Sequence, residues 1–261
     1  MRRARLKYSC LSHIFLSHLH GDHCLGLPGL LSTLALTGKE GGTITIHTFK
    51  EGAAIFRRIM DFFCRETPFD IQYDIIAPGT DDVIWESDAL EVRAFPLIHR
   101  VPTTGFIFKE KPKLRHIIGD AVAFHQVPVR EMQAIKAGAD FVKPDGTVIA
   151  NERLTRPADP SMSYAYCSDT VFSEAVARAV EGVDVLYHEA TYLDAEREKA
   201  HMRFHSTAAE AARVAQLAGV KRLVLGHFSK QYADEEGHLA EARAIFPDTI
   251  AANEGLRIDL L

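Results

Sequence analysis

One stretch constrains this chain more than any other: Ser17-His18-Leu19-His20-Gly21-Asp22-His23, set between the apolar run Ile14-Phe15-Leu16 and the segment Gly26-Leu27-Pro28-Gly29-Leu30-Leu31. In a strand, side chains repeat every two residues, so His18 and His20 share a face and one metal ion can take both. Gly21 lets the chain turn sharply, which brings Asp22 and His23 to a second position close by. Imidazole and carboxylate donors together suit zinc ahead of manganese or iron. A lone histidine beside an apolar strand is ordinarily a solvated or satisfied side chain, but four such donors within six residues point to a metal centre.

The His-x-His-x-Asp-His run resembles the signature of the metallo-β-lactamase superfamily, and the Gly-Leu-Pro-Gly-Leu-Leu after it resembles the ribonuclease Z branch, the transfer RNA 3′-processing endonucleases. The first motif speaks for the superfamily and not for a substrate, because lactamases, thioester hydrolases, lactonases and nucleases are similar there. Two later motifs separate the branches. His188-Glu189-Ala190-Thr191 and His205-Ser206-Thr207, in this order after Ser168-Asp169-Thr170, are similar to ribonuclease Z and not to lactamases or thioesterases.

The resemblance implies an α/β fold, the four-layer αββα sandwich, in a single domain over residues 1–261. Proteins similar to this one begin with paired strands and a Gly-rich turn, whereas this chain starts close to its metal-bearing strand. The expectation is an N-terminally incomplete sandwich with an exposed apolar sheet face and strand edge. By the same resemblance, one metal ion takes His18, His20 and His99, the other takes Asp22, His23 and His227, and Asp169 is shared. Two zinc ions per chain are implied, with manganese or iron as substitutes. Taken alone, Asp169 reads as a helix N-cap and His99 as a weak signal at a strand end.

The implied reaction is cleavage of the 3′ trailer from precursor transfer RNA by hydroxide formed at the metals, leaving a 3′-hydroxyl on the transfer RNA and a 5′-phosphate on the trailer. Asp22 orients or deprotonates the water, His205 protonates the leaving oxygen, and Glu189 orients His205. Ser229 and Lys230 are candidate substrate contacts, where the family continues Ser-x-Arg-Tyr and this chain has Ser229-Lys230-Gln231-Tyr232. Gln231 thus replaces a cation expected near substrate phosphate.

Precursor transfer RNA is the expected partner, with a homodimer favoured by the resemblance and neither a membrane nor DNA expected. No apolar run is long enough to span a membrane. Cys10, Cys24, Cys64 and Cys167 lack paired spacing, so the cytoplasm is the expected location. The formal net charge of −5 runs against a nucleic-acid partner. Bound cations and local basic patches offset it, the candidates being Arg2, Arg3, Arg5 and Lys7, and Lys109, Lys111, Lys113 and Arg115. A solvated face is the plainer reading of either cluster alone.

The long Gly- and Pro-rich arm with which many ribonuclease Z proteins grip transfer RNA has no clear counterpart, since Gly138 and Pro144 stand isolated. Two other functions therefore compete: hydrolysis of a smaller phosphodiester, and an inactive metal-binding fragment.

Periodicity predicts helices over 25–36, 51–63, 126–137, 172–180 and 235–246, with Ile55, Ile59 and Phe62 or Phe63 at helical spacing in the second. It predicts strands over 43–47, 71–76, 83–86, 90–96, 104–108, 163–167, 184–187, 222–227 and 255–258, and a hairpin centred on Asp145-Gly146. His13, His47, His116, His125, His201 and His238 match no motif and read as surface or loop histidines.

Overall fold

The computed structural model describes residues 6–37, 39–64 and 66–258. Arg2, Arg3 and Arg5 of the first basic cluster, and Gly38, lie outside the described residues. The chain divides into two compact units: Met1–Trp85, Val92–Phe108 and Ser163–Leu261 form the larger, and Glu86–Glu91 and Lys109–Met162 the smaller.

The first sheet of the larger unit holds β1 (His13–Phe15), β2 (Thr43–Thr48) and β3 (Asp70–Ile75), all parallel, in that order. Parallel neighbours need crossovers, supplied here by α1 (Gly26–Leu36) and α2 (Lys50–Phe63). Leu31 and Leu34 of α1 and Phe56 and Met60 of α2 cluster with Ile44 and Ile46 of β2. In α2 the buried stripe is Gly52, Ala53, Phe56 and Met60, with Ile59 partly buried against the same core, while Ile55, Phe62 and Phe63 are exposed. The stripe one residue away from the expected one is used because Gly52 sits against Thr48 and Leu19, too close for any side chain.

The second sheet has seven strands. They are β4 (Asp82–Glu86), β5 (Leu90–Leu97), β6 (Thr103–Glu110), β7 (Ser163–Cys167), β8 (Val185–Glu189), β9 (Arg222–Gly226) and β10 (Thr249–Ala251), ordered β10-β9-β8-β7-β6-β5-β4. Strands β7 to β10 run parallel, so their carboxyl ends share one edge. Behind them lie α3 (Glu174–Ala179), α4 (Ala208–Ala218) and α5 (Glu236–Ile245). The buried alanines 208, 211, 212, 215 and 218 give α4 a thin face that fits closely over Leu186, Leu223 and Leu225. Thr207 caps this helix in a reciprocal box with Glu210, as its sequence suggests.

The sheets meet where Phe15 lies 5.4 Å from the rings of both Phe106 and Phe108, and where Thr104 N donates to Ser17 O at 2.9 Å. Helices thus cover two facing sheets, the layered α/β sandwich that the resemblance implies. Residues 255–258 form no strand, and the last strand is β10, at 249–251. Its three residues are too few to show alternation.

The smaller unit has its own core of Val122, Ile135, Phe141, Ile149 and Leu154. Buried Asn151 ties it together by donating to the carbonyls of Ile135 and Ala139. The hairpin pairs Phe141–Val142 with Val148–Ile149. The helix predicted over 126–137 is only a turn at Val129–Glu131 followed by Met132–Lys136. Within this unit Lys111 faces Glu86 at 2.7 Å and Lys113 faces Glu110 at 2.8 Å, so half of the second basic cluster is spent on local ion pairs. No described helix is long and apolar enough to cross a membrane.

Candidate metal centre

Strand ends build the site. His18, His20 and His23 follow β1, His99 follows β5, Asp169 follows β7, Glu189 ends β8 and His227 follows β9. His18 and His20 lie beyond the strand rather than in it, since β1 ends at Phe15. Asp22 and His23 fall in the short helix Gly21–Cys24. Asp169 is no helix cap, because Ser173 caps α3 by accepting from Ala175 N.

The donors converge in two main groups, and a third, Asp169, His205 and His227, overlaps them. His18, His20, His99 and Asp169 form one main group, and Asp22, His23 and His227 the other, with donor atoms inside each group within 4.8 Å of one another. Asp169, 2% exposed, divides its two oxygens between them. Oδ2 lies 3.6 Å from His18 Nε2 and 3.7 Å from His99 Nε2, whereas Oδ1 lies 3.5 Å from both His23 Nε2 and His227 Nε2. Asp22 Oδ2 stands 3.4 Å from His23 Nε2 and 3.7 Å from His227 Nε2.

Neighbouring groups turn the imidazoles inward. His99 Nδ1 donates to Phe204 O at 2.8 Å, which leaves the Nε2 lone pair facing the cluster. Ser17 donates to Ser168, so its oxygen accepts from His18 Nδ1 at 3.1 Å and His18 Nε2 is likewise free. Thr191 donates to Glu189 and accepts from His227 Nδ1 at 2.8 Å, with the same result.

These nitrogens then confront one another, His99 Nε2 with His20 Nδ1 and His23 Nε2 with His227 Nε2, each pair 3.2 Å apart. Buried His18 Nε2 and Asp169 Oδ1 have no hydrogen-bond partner. Lone pairs gathered around orphaned buried atoms fit a divalent cation in each group. Burial, followed by the neighbouring rings of His23, His20 and His99, pushes His18 down to about 3. Burial also lowers His23 and His99, so these imidazoles are neutral and able to ligate at neutral pH.

Beside the donors lies a second constellation. Glu189, fully buried, accepts from the backbone N–H groups of Thr170, Thr191 and Ser206, from the Thr191 hydroxyl at 2.7 Å, and from His205 Nδ1 at 2.8 Å. Burial pushes this carboxyl up, but the bonds from His205 and Thr191 outweigh it and hold the group below its ordinary value. His205 is the counterpart: burial lowers it, the Glu189 carboxylate raises it by more, and the Arg100 charge acts weakly against the rise. The arrangement favours the protonated form of the His205 imidazole beside the metal donors.

Two of the three described non-glycine residues with left-handed backbone are here, Phe204 and His227, both at φ 60°. In one the strain aims a carbonyl at His99, and in the other it aims the His227 imidazole at the donor group. Thr191, Ser17, Ser168 and the Phe204 carbonyl are the groups that sequence reasoning missed. Thr191, Ser17 and Ser168 had a signal in their places within the quoted motifs, whereas the Phe204 carbonyl had none.

Ser229 N donates to Thr191 O, and Lys230 is exposed without a partner among the described residues. Gln231 is engaged with Glu196 and Lys199, away from the role of a substrate cation. Two supposed surface histidines are otherwise placed. His47 is 1% exposed in β2, where it bonds Asp74 of the adjacent strand and His13. Fully buried His238 meets the rings of Phe228 and Tyr232 edge to face.

Comparison with known proteins identifies the family. The chain matches the family described as Beta-lactamase superfamily domain over residues 2–163 and 154–228. It is 50% identical to a ribonuclease Z of Parabacteroides distasonis, covering all of this chain and 85% of that one. It is 47% identical, with the same coverage, to a ribonuclease Z of Bacteroides fragilis. Among solved structures it superposes on the short form of human tRNase Z with a TM-score of 0.67 at 24% identity, over all of this chain and 83% of that one. The chain belongs to the ribonuclease Z family, metal-dependent nucleases of the β-lactamase superfamily.

Proposed function

We propose that this protein is a zinc-dependent endoribonuclease that removes the 3′ trailer from precursor transfer RNA. Family membership supports the substrate. The observation that carries the chemistry is the buried Glu189–His205 pair set against two groups of inward-turned donors. In this reading His18, His20, His99 and Asp169 hold one zinc ion, and Asp22, His23, His227 and Asp169 hold the other. Zinc bound there would polarise the phosphoryl oxygens and make water acidic enough to be a nucleophile near neutral pH.

The chain's own residues complete the reaction. Asp22, exposed at the rim, takes the proton of the attacking water, whose oxygen forms the new bond to phosphorus. His205 gives its proton to the 3′ oxygen as the P–O bond breaks, which leaves a 3′-hydroxyl on the transfer RNA and a 5′-phosphate on the trailer. Glu189 keeps His205 charged and oriented until that moment. Ser229 and Lys230, beyond His227, are offered as contacts to the RNA. The proposal includes a cytoplasmic homodimer, which light scattering of the purified protein checks.

The test is incubation of a 3′-extended precursor transfer RNA with the zinc-loaded protein, with both new ends mapped. A single cut after the discriminator base with the stated termini is expected. Hydrolysis of bis(p-nitrophenyl) phosphate with no RNA cut at the same enzyme concentration would transfer the assignment to a small-phosphodiester hydrolase.

A further inference from the structure

Beside the donors opens a pocket of 390 Å³, lined by His20, His99, Arg100, Arg203 and His205. It shares His20 and His99 with the metal donors and His205 with the proton-donating pair. Its remaining lining consists of two arginines, both exposed. Neither faces a carboxylate among the described residues, whereas Arg93, Arg197 and Arg222 are paired with Asp81, Asp194 and Asp248.

The backbone fixes these two cations around one opening. His99 Nδ1 bonds the carbonyl of Phe204, and Arg100 Nη2 bonds that of Met202 at 3.2 Å. Consecutive residues of one loop are thereby latched to the carbonyls on either side of Arg203. That single bond uses one of the five donors of Arg100, and the rest of its fork remains available. In a chain of net charge −5, two unneutralised guanidiniums next to a metal centre form a local site for an anion.

We propose that Arg100 and Arg203 bind the backbone phosphate on the 5′ side of the last nucleotide that the transfer RNA retains. The assignment rests on the ribonuclease reading above, and the register follows from it. The scissile phosphate belongs at the metal donors, and the leaving 3′ oxygen belongs at His205. Whatever is attached to that oxygen therefore extends over the pocket that His205 lines, and this is the retained nucleotide with its 5′ phosphate. The trailer departs on the other side of the scissile phosphorus. Guanidinium forks suit this task because they meet phosphate oxygens bidentately without requiring a particular base.

The test uses precursor transfer RNAs carrying one neutral methylphosphonate, either on the retained side at that phosphate or at the first phosphate within the trailer. For the wild-type protein, the retained-side substitution should raise KM about 10- to 100-fold, the range of one or two charge-assisted bonds, and the trailer-side one much less. The double variant Arg100→Ala/Arg203→Ala should lose a similar factor on unmodified RNA and become insensitive to the retained-side methylphosphonate. Arg100→Lys/Arg203→Lys, which keeps the charges without the forks, should recover part of the affinity; its metal content and Tm guard against a variant that merely misfolds.

A double variant as sensitive as wild type to the retained-side substitution overturns the subsite, as does coupling to the trailer-side phosphate instead. A wild-type protein that cuts unmodified RNA yet ignores both methylphosphonates overturns the subsite alone. Failure to cut any precursor defeats the ribonuclease reading and the subsite with it.

Discussion

His205 Nδ1 donates to Glu189 Oε1 across 2.8 Å, and that carboxylate has no exposure to solvent. A buried charge held by five donors is a fixed counter-ion, so its effect falls on the one partner that titrates nearby. If the pair exists to protonate a leaving alkoxide, its value depends on how much the leaving group needs a proton. His205→Ala should slow precursor cleavage by roughly 10²- to 10⁴-fold, and Glu189→Gln by less. Both should affect bis(p-nitrophenyl) phosphate far more weakly, because p-nitrophenolate leaves without a proton. Equal losses on the two substrates in metal-loaded protein would show that His205 holds the site together rather than donating a proton.

Asp169 turns one oxygen to each donor group, and burial leaves its Oδ1 without a hydrogen bond. Cations that bind only the folded chain stabilise it by mass action, about 2.7 kcal/mol at a hundredfold excess over Kd. Chelation should therefore lower Tm, and readdition of zinc should restore it. Asp169→Asn should reduce the bound metal measured by elemental analysis and remove most of the chelator's effect on Tm. An unchanged Tm on chelation would show that the donor groups hold no stabilising cation.

How much of this site was legible depended on how its parts are distributed along the chain. His18 to His23 place their donors within six residues, so local geometry alone reveals them. His99, Asp169 and His227 are single residues ending separate strands, and only resemblance to known motifs distinguished them from loop histidines and a cap. Of the groups acting through hydroxyls or main chain, Ser17 and Ser168 are marked only by their places in motifs, and the carbonyl of Phe204 carries no residue-type signature at all. The misplaced histidines fail for a related reason. His47 is buried because register sets it opposite Asp74, and that pairing joins two strands separated by a whole helix. In α2 two stripes fit helical spacing, and contact with β2 decides between them.

Asp184 joins β7 to the loop before β9, accepting from Ser163 N at 2.6 Å, Ser163 Oγ at 2.8 Å and Lys221 Nζ at 2.5 Å. Burial raises this carboxyl, but the Lys221 and Ser163 bonds more than offset that and leave it below its ordinary value. A lowered folded value means a stabilisation fully present above the unfolded pKa, about 3.9, and lost as pH falls through the folded one. Asp184→Asn should cost about 1–3 kcal/mol in urea unfolding at pH 7. The gap between the two proteins should close progressively below about pH 4. A gap that persists undiminished into strong acid would remove the charge from the explanation.

Gly226 ends β9 immediately before the candidate donor His227, and a Cβ built there would fall on the ring of Tyr187 in β8. That ring cannot retreat freely, because it stacks on Tyr166 at 4.8 Å and 19° in the next strand. Gly226→Ala must therefore shift the end of β9, and His227, already at φ 60°, moves with it. The expected cost is about 1–3 kcal/mol, as for other overpacked interiors, together with reduced metal binding. Gly219 supplies the contrast: it lies at φ 60°, which Gly226 does not, but has nothing within 4 Å of the added carbon. Gly219→Ala should destabilise by about 1 kcal/mol through backbone strain alone and leave metal content untouched. Chemical denaturation and metal analysis on both variants separate the effects. If Gly226→Ala keeps its full metal content while losing stability, β9 can yield without carrying His227 out of the site.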